Sequence, residues 1–276
     1  MKRHALTAFA CLVVAVASAQ AGQRGFLLIV GGGAKPTPAV EEFVRLCGGG
    51  PILVITSASA SPEEAGPSAA RLFAEAGAHQ VSWLHIAGPD TANADTTVER
   101  IRQARGVFFT GGVQTRLMER LAGTRAEEAL RSLYFERGGC IGGTSAGAAV
   151  LSEVMITGDG DLGKLERGNI VTARGLGFLT TCIVDQHFVA RQRNNRLLSL
   201  VMEKHLIGLG IDESTAIVYY PNDTFRVYGD GSVLVYDPRH ASVPPAPESK
   251  RLTMEGIRLT VLKAGQTFDL RHGRTR

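Results

Sequence analysis

Short apolar runs that end in glycines recur along the first half of this chain, and they restrict its fold more than any other feature. Residues 26–30 (Phe-Leu-Leu-Ile-Val) run straight into Gly31-Gly32-Gly33. A continuous apolar run of that length, closed by glycines, reads as a strand buried on both faces. Further strands are expected at residues 51–56, 81–86 and 106–110, the last followed by Gly111-Gly112, and a short fifth strand at Cys140-Ile141. Helical spacing fills the gaps. Val40, Phe43, Val44 and Cys47 share one side of 38–47, and Glu63 and Glu64 open 62–76, with Gly77 just past its end. Further helices are expected at 96–104 and up to residue 136.

Strand–helix alternation of this kind specifies an α/β fold: a doubly wound, mostly parallel sheet with helices on both faces. Beyond about residue 183 the pattern changes. One helix is expected within 187–205, followed by short strands at 208–211, 216–220, 225–228, 232–236, 257–262 and 267–270, which read as antiparallel additions. A Pro-rich loop covers 243–247. No linker divides the chain and no repeat appears, so residues 22–276 are expected to form a single domain.

Residues 1–21 read as a signal peptide. Lys2, Arg3 and His4 form a basic start, residues 5–17 an uncharged apolar core, and Ala17-Ser18-Ala19 and Ala19-Gln20-Ala21 two small-x-small cleavage sites. The apolar core is shorter than the roughly 20 residues of a membrane span. The expected location is therefore secreted or periplasmic, with no membrane attachment after cleavage.

Charge narrows the function. The formal net charge of +4 is weak and dispersed, and loss of Lys2 and Arg3 brings it closer to neutral. Aromatic residues make up only 6%. Neither feature suits a nucleic-acid partner. Cys47, Cys140 and Cys182 remain after cleavage, none in a Cys-x-x-Cys pair, so zinc and thioredoxin-like readings fail. They allow at most one disulfide and read as small buried hydrophobes. In the turn 158–163, Asp159-x-Asp161 with glycines invites a calcium reading, but an EF-hand loop would need a Glu at its twelfth position. No metal or cofactor is expected.

The strongest chemical signal is Gly143-x-Ser145-x-Gly147, between the strand at Cys140-Ile141 and an expected helix at 146–151. A nucleophile at a sharp strand-to-helix turn needs small neighbours on either side. Its hydroxyl needs a base to take the proton. Among His79, His85, His187, His205, His240 and His272, His187 stands out, because it follows the apolar run Cys182-Ile183-Val184. An acid must orient that imidazole. Asp212 and Glu213, at the end of the 208–211 strand, are the candidates. An oxyanion hole would use the N–H of Ala146 and a second donor from the glycine turn, best supplied by Gly112. The order Ser, His, acid differs from that of the α/β-hydrolases.

These segments resemble the cyanophycinase branch of the peptidase E-like serine hydrolases. The likeness is carried by Gly31-Gly32-Gly33-Ala34, by Phe109-Thr110-Gly111-Gly112-Val113-Gln114 and by Gly142 to Ala148. It continues through Asp185-Gln186-His187-Phe188 with Arg191, Arg193 and Arg196, and through Gly208 to Ala216. It implies a fold like the class I glutamine amidotransferases, with Ser145 as nucleophile, His187 as base and Glu213, rather than Asp212, as third member. It implies substrate binding by Gln114, Asp185, Gln186, Arg191, Arg193 and Arg196, no cofactor, and a homodimer. The implied substrate is cyanophycin, a poly-aspartate backbone with arginine on each β-carboxyl, and the implied product β-aspartyl-arginine.

Arginine forks suit a substrate rich in carboxylates, and Asp185 could meet a substrate guanidinium or amino group. Asn194-Asn195, between the arginines, departs from the family pattern and would reshape that wall. Two alternatives stay open: an aspartyl or isoaspartyl dipeptidase, and an inactive exported peptide-binding protein.

Overall fold

A computed structural model of the chain describes residues 24–242 and 249–276. The expected signal peptide at 1–21 and the Pro-rich loop at 243–247 lie outside the described residues. In chain order the elements are β1 (Phe26–Val30), α1 (Thr37–Leu46), β2 (Ile52–Ile55), α2 (Pro62–Glu75), β3 (Val81–Leu84), α3 (Pro89–Asn93), α4 (Asp95–Gln103), β4 (Gly106–Phe109), α5 (Gln114–Leu121) and α6 (Arg125–Phe135). There follow β5 (Cys140–Thr144), α7 (Ala146–Ala149), β6 (Val154–Ile156), β7 (Thr172–Arg174), β8 (Cys182–Gln186), α8 (Asn194–Lys204) and β9 (Ile207–Ile211). The remainder is β10 (Thr215–Tyr219), β11 (Thr224–Gly229), β12 (Val233–Asp237), β13 (Arg258–Leu262), β14 (Thr267–Asp269) and β15 (Arg274–Thr275).

The central sheet runs β15-β14-β11-β10-β1-β5-β4-β2-β3. Strands β1 to β5 are mutually parallel, and β10, β11, β14 and β15 extend the sheet antiparallel from β1. The expected α/β fold is therefore the observed one. Alternation along β1 shows why its run is wholly apolar: Leu27 and Ile29 enter one core, Leu28 and Val30 the other.

Helices α1 and α2 cover the second of those faces. Phe43, Phe73 and Phe108 lock them to β4, with ring centroids 5.0–6.4 Å apart. All three are fully buried, and each contributes about 1.5–3 kcal/mol by that burial. The other face packs against α4 to α7 and a smaller sheet ordered β13-β12-β9-β8. In that sheet β8 and β9 are parallel, which brings their carboxyl ends to one rim. Helix α8 closes its outer side through Leu197, Leu200 and Val201.

Several expectations change. Strand β5 is not two residues but runs on through Gly142, Gly143 and Thr144, because β1 and β4 pair with it from both sides. The helix after Ser145 is short, ending at Ala149 rather than residue 151. The late strands divide between two sheets. The hairpin β6–β7 and helix α3 were not foreseen at all. Cys47, Cys140 and Cys182 are all free and buried, and burial pushes the Cys182 thiol up to about 12.

Candidate active site

Strand β5 leaves the centre of the sheet and turns sharply at Ser145, whose φ is +53° and ψ −113°. A serine held there stores about 1–3 kcal/mol of backbone strain. The surrounding packing enforces it: a Cβ on Gly143 would lie 2.1 Å from the Gly147 carbonyl oxygen. Only glycine lets the strand and the following turn approach so closely.

Ser145 Oγ lies 2.8 Å from His187 Nε2, and His187 Nδ1 lies 2.5 Å from Glu213 Oε1. The three side chains come from the ends of β5, β8 and β9, two different sheets. Glu213 thus holds the place that sequence left between two acids. Asp212 is used otherwise: its Oδ1 accepts the N–H groups of Val189 and Ala190 at 3.2 and 3.0 Å.

The carboxyl end of β1 registers the group. Ser145 donates its N–H to the Val30 carbonyl at 3.1 Å, His187 to Gly31 at 2.7 Å, and Ser214 to Gly32 at 2.9 Å. Three successive carbonyls therefore fix the nucleophile, the base and the residue beside the acid. His187 and Ser214 both have positive φ, near 50°, a conformation those bonds help hold. A Cβ on Gly32 would sit 2.1 Å from His187 Cε1, so glycine is required for the ring to take its place. In the sequence Gly31–Gly33 marks a strand end and one segment of the family likeness, not a histidine seat. The signal that this turn seats the histidine was its place beside the elbow strand.

Burial pulls the His187 pKa below its ordinary 6.5; the Glu213 hydrogen bond opposes this, while the charges of Arg191 and Arg193 add to it. The imidazole is consequently neutral at pH 7 and free to accept a proton. Among the described residues, the N–H groups of Gly112 and Ala146 donate to no protein acceptor. A Cβ on Gly111 would lie 3.5 Å from Ser145 Cβ, so the β4 turn stands directly beside the nucleophile.

The expected substrate residues divide. Arg191 is exposed and Arg193 half-buried. Arg193 donates to the Gln186 carbonyl at 2.6 Å, and desolvation with the neighbouring Arg196 charge pulls its pKa down to about 10. Gln186 is buried at the end of β8, its Oε1 without a partner. Gln114 spends its amide N–H groups on the Ile156 and Thr157 carbonyls, at 2.9 and 2.8 Å.

Asp185 and Arg196 lie in the interior, paired with each other. Asp185 is 0% exposed and Arg196 4%. They grip each other in a two-point pair, Arg196 Nε standing 2.9 Å from Asp185 Oδ2 and Nη2 bonding Oδ1. The Asn pair also has structural work: Asn194 accepts from Tyr236, and Asn195 donates to the Leu162 carbonyl, tethering the 158–163 turn. Within that turn Asp161 accepts the Gly163 N–H at 2.8 Å and pairs with Lys164.

Residues 27–227 match the sequence pattern of Peptidase family S51. The chain belongs to that family. It is a serine-type peptidase of the cyanophycinase and peptidase E-like kind. Its curated relatives include the cyanophycinase of Synechococcus elongatus, 34% identical over 259 residues, which span 91% of this chain and 80% of that protein. The cyanophycinase of a Nostoc species is 37% identical over 225 residues, 79% of this chain and 75% of that one. Among solved structures, a peptidase from an acI-B1 Actinobacterium superposes with a TM-score of 0.68. That likeness covers 91% of this chain and 99% of the other at 22% identity, and it concerns the fold.

Proposed function

We infer that this S51 peptidase is a secreted exopeptidase that hydrolyses cyanophycin to β-aspartyl-arginine through an acyl-enzyme on Ser145. The observation that carries the reading is the continuous relay from Ser145 Oγ through the His187 ring to Glu213, at 2.8 and 2.5 Å. In the first step Ser145 Oγ attacks the scissile carbonyl while His187 Nε2 takes the hydroxyl proton. Glu213 orients the ring and favours the imidazolium that forms. The N–H groups of Gly112 and Ala146 receive the oxyanion. Collapse expels the leaving amine, which takes the proton from His187 Nε2. Water then attacks the ester with His187 again as base, and Ser145 regains its proton. Arg191 and Arg193 meet substrate carboxylates, while the Asp185–Arg196 pair acts as framework beneath them.

One observation favours a second reading, an aspartyl or isoaspartyl dipeptidase. With Arg196 consumed by Asp185, fewer arginines remain to hold a polymer than the resemblance implied. Purified protein incubated with insoluble cyanophycin granules, beside short aspartyl and isoaspartyl peptides, separates the two. Mass spectrometry should find β-aspartyl-arginine from the wild type and none from Ser145→Ala. Cleavage of short peptides alone would replace the polymer reading with the second. Export is tested by the N-terminus of protein recovered outside the cytoplasm, expected at residue 20 or 22.

A further inference from the structure

A cavity of about 390 Å³ opens on the face covered by α2, beside the elbow. Its walls include Lys35, Arg71, Glu75, Thr110, Gly111 and Thr144, and it shares none of these with the Arg191–Arg193 wall. Thr144 directly precedes the nucleophile, and Gly111 lies against it. The cavity therefore adjoins the residue before the nucleophile and the glycine turn beside it.

Two features of the lining point to an anion. Thr110 is only 6% exposed, and its hydroxyl has no hydrogen-bond partner. A buried hydroxyl left unpaired costs free energy that a ligand oxygen would recover. Lys35 is half-buried in the turn after β1, and no carboxylate approaches its ammonium within 4.0 Å among the described residues. Burial pulls its pKa below the ordinary 10.5, a penalty that an incoming anion would reverse. Two cations, Lys35 and Arg71, face one acid, Glu75, so the lining carries a net positive charge.

We propose that this cavity is a carboxylate subsite for the substrate, with Lys35 as its cation and the Thr110 hydroxyl as its buried donor. The inference rests on the aspartyl-peptide reading above, since such substrates carry a free carboxylate near the scissile bond. In the polymer that carboxylate belongs to arginine; in short aspartyl peptides it belongs to the aspartyl residue or the chain end.

The test compares wild type, Lys35→Met, Lys35→Arg and Thr110→Val on matched substrates. Each substrate is offered with the carboxylate and with a carboxamide in its place, in both the arginine-bearing and the short aspartyl series. Lys35→Met should raise KM for the carboxylate form roughly tenfold or more, the value of one charge-assisted contact. It should leave kcat/KM for the carboxamide form within about twofold, because an amide gains little from an ammonium. Lys35→Arg should restore most of the preference. Thr110→Val should reduce it in the same direction, by less. The series that responds identifies the source of the carboxylate. Equal losses on both forms, or no loss on either, overturn the subsite.

Failure of the functional reading looks different: wild type would cleave no aspartyl substrate while Ser145 still reacts with a phosphonylating probe. The subsite is then read by calorimetry on Ser145→Ala with β-aspartyl-arginine and its diamide. Tighter binding of the acid, lost in Lys35→Met, supports it, and equal or absent binding refutes it.

Discussion

The Asp185–Arg196 pair has two readings, substrate contact and framework, and its removal separates them quantitatively. Asp185 lies on β8 opposite Gly210 of β9, inside the smaller sheet, with Arg193 a further 3.7 Å away. Burial pushes the Asp185 carboxyl above its ordinary range, and the Arg196 partner pulls it back. Removing Asp185 leaves the Arg196 guanidinium buried without its carboxylate, and removing Arg196 leaves Asp185 only the longer Arg193 contact, a cost of about 3–5 kcal/mol at most. For a chain of this size, each kcal/mol lowers Tm by about 2–4 °C, so Asp185→Leu and Arg196→Met should each melt roughly 6–20 °C early. The double variant removes both charges from the interior, and replacing a buried pair with apolar groups is often close to neutral. It should regain most of the loss, with a coupling of about 4 kcal/mol or more. Thermal and urea unfolding followed by circular dichroism measure this cycle. If the single variants melt with the wild type and only raise KM, the pair contacts substrate and the framework assignment is wrong.

Gly32→Ala places a Cβ 2.1 Å from His187 Cε1. The ring must shift by about 1 Å, and kcat/KM should fall about a hundredfold with circular dichroism unchanged; normal activity would refute the seat. Glu213→Gln should lower kcat about 10⁴-fold by favouring the wrong imidazole tautomer. Asp212→Asn keeps an oxygen for the Val189 and Ala190 N–H groups, so steady-state rates should fall less than about tenfold. The acid limb of kcat/KM should lie below pH 6.5, since burial and the Arg191 charge disfavour the His187 cation. Arg191→Met should move that limb upward, and a downward shift would contradict the electrostatics. The same depression makes the unfolded chain take up the His187 proton first as pH falls through 6.5. This residue therefore favours the fold above that pH and loses its contribution below it.

Much of the fold was legible because burial on both sheet faces leaves a simple trace. The run 26–30 is apolar throughout and stops at glycines. Strand β5 shows the limit. Gly142 and Gly143 have low strand propensity, yet two neighbouring strands supply their hydrogen bonds, so pairing overrides local preference. The split of β8, β9, β12 and β13 into a second sheet was hidden for a related reason: a strand's pattern records that it is buried, not which strand it joins.

The candidate site followed the same division. Ser145 stood out by its Gly-x-Ser-x-Gly elbow and His187 by the apolar run before it, while the choice of Glu213 over Asp212 rested on the resemblance. The carbonyls of Val30, Gly31 and Gly32 that register them are backbone groups and leave no mark in residue type. Nor could spacing show that Arg196 folds back on Asp185, since that contact forms only once α8 lies along β8.

The most direct test of the central claim is the mass of the protein after reaction with a phosphonylating probe, mapped by peptide sequencing. We expect one adduct per chain, on Ser145, absent in Ser145→Ala and formed far more slowly in His187→Ala. An adduct elsewhere, or one formed on Ser145 at the same rate without the histidine, would show that Ser145 is not a nucleophile activated by His187.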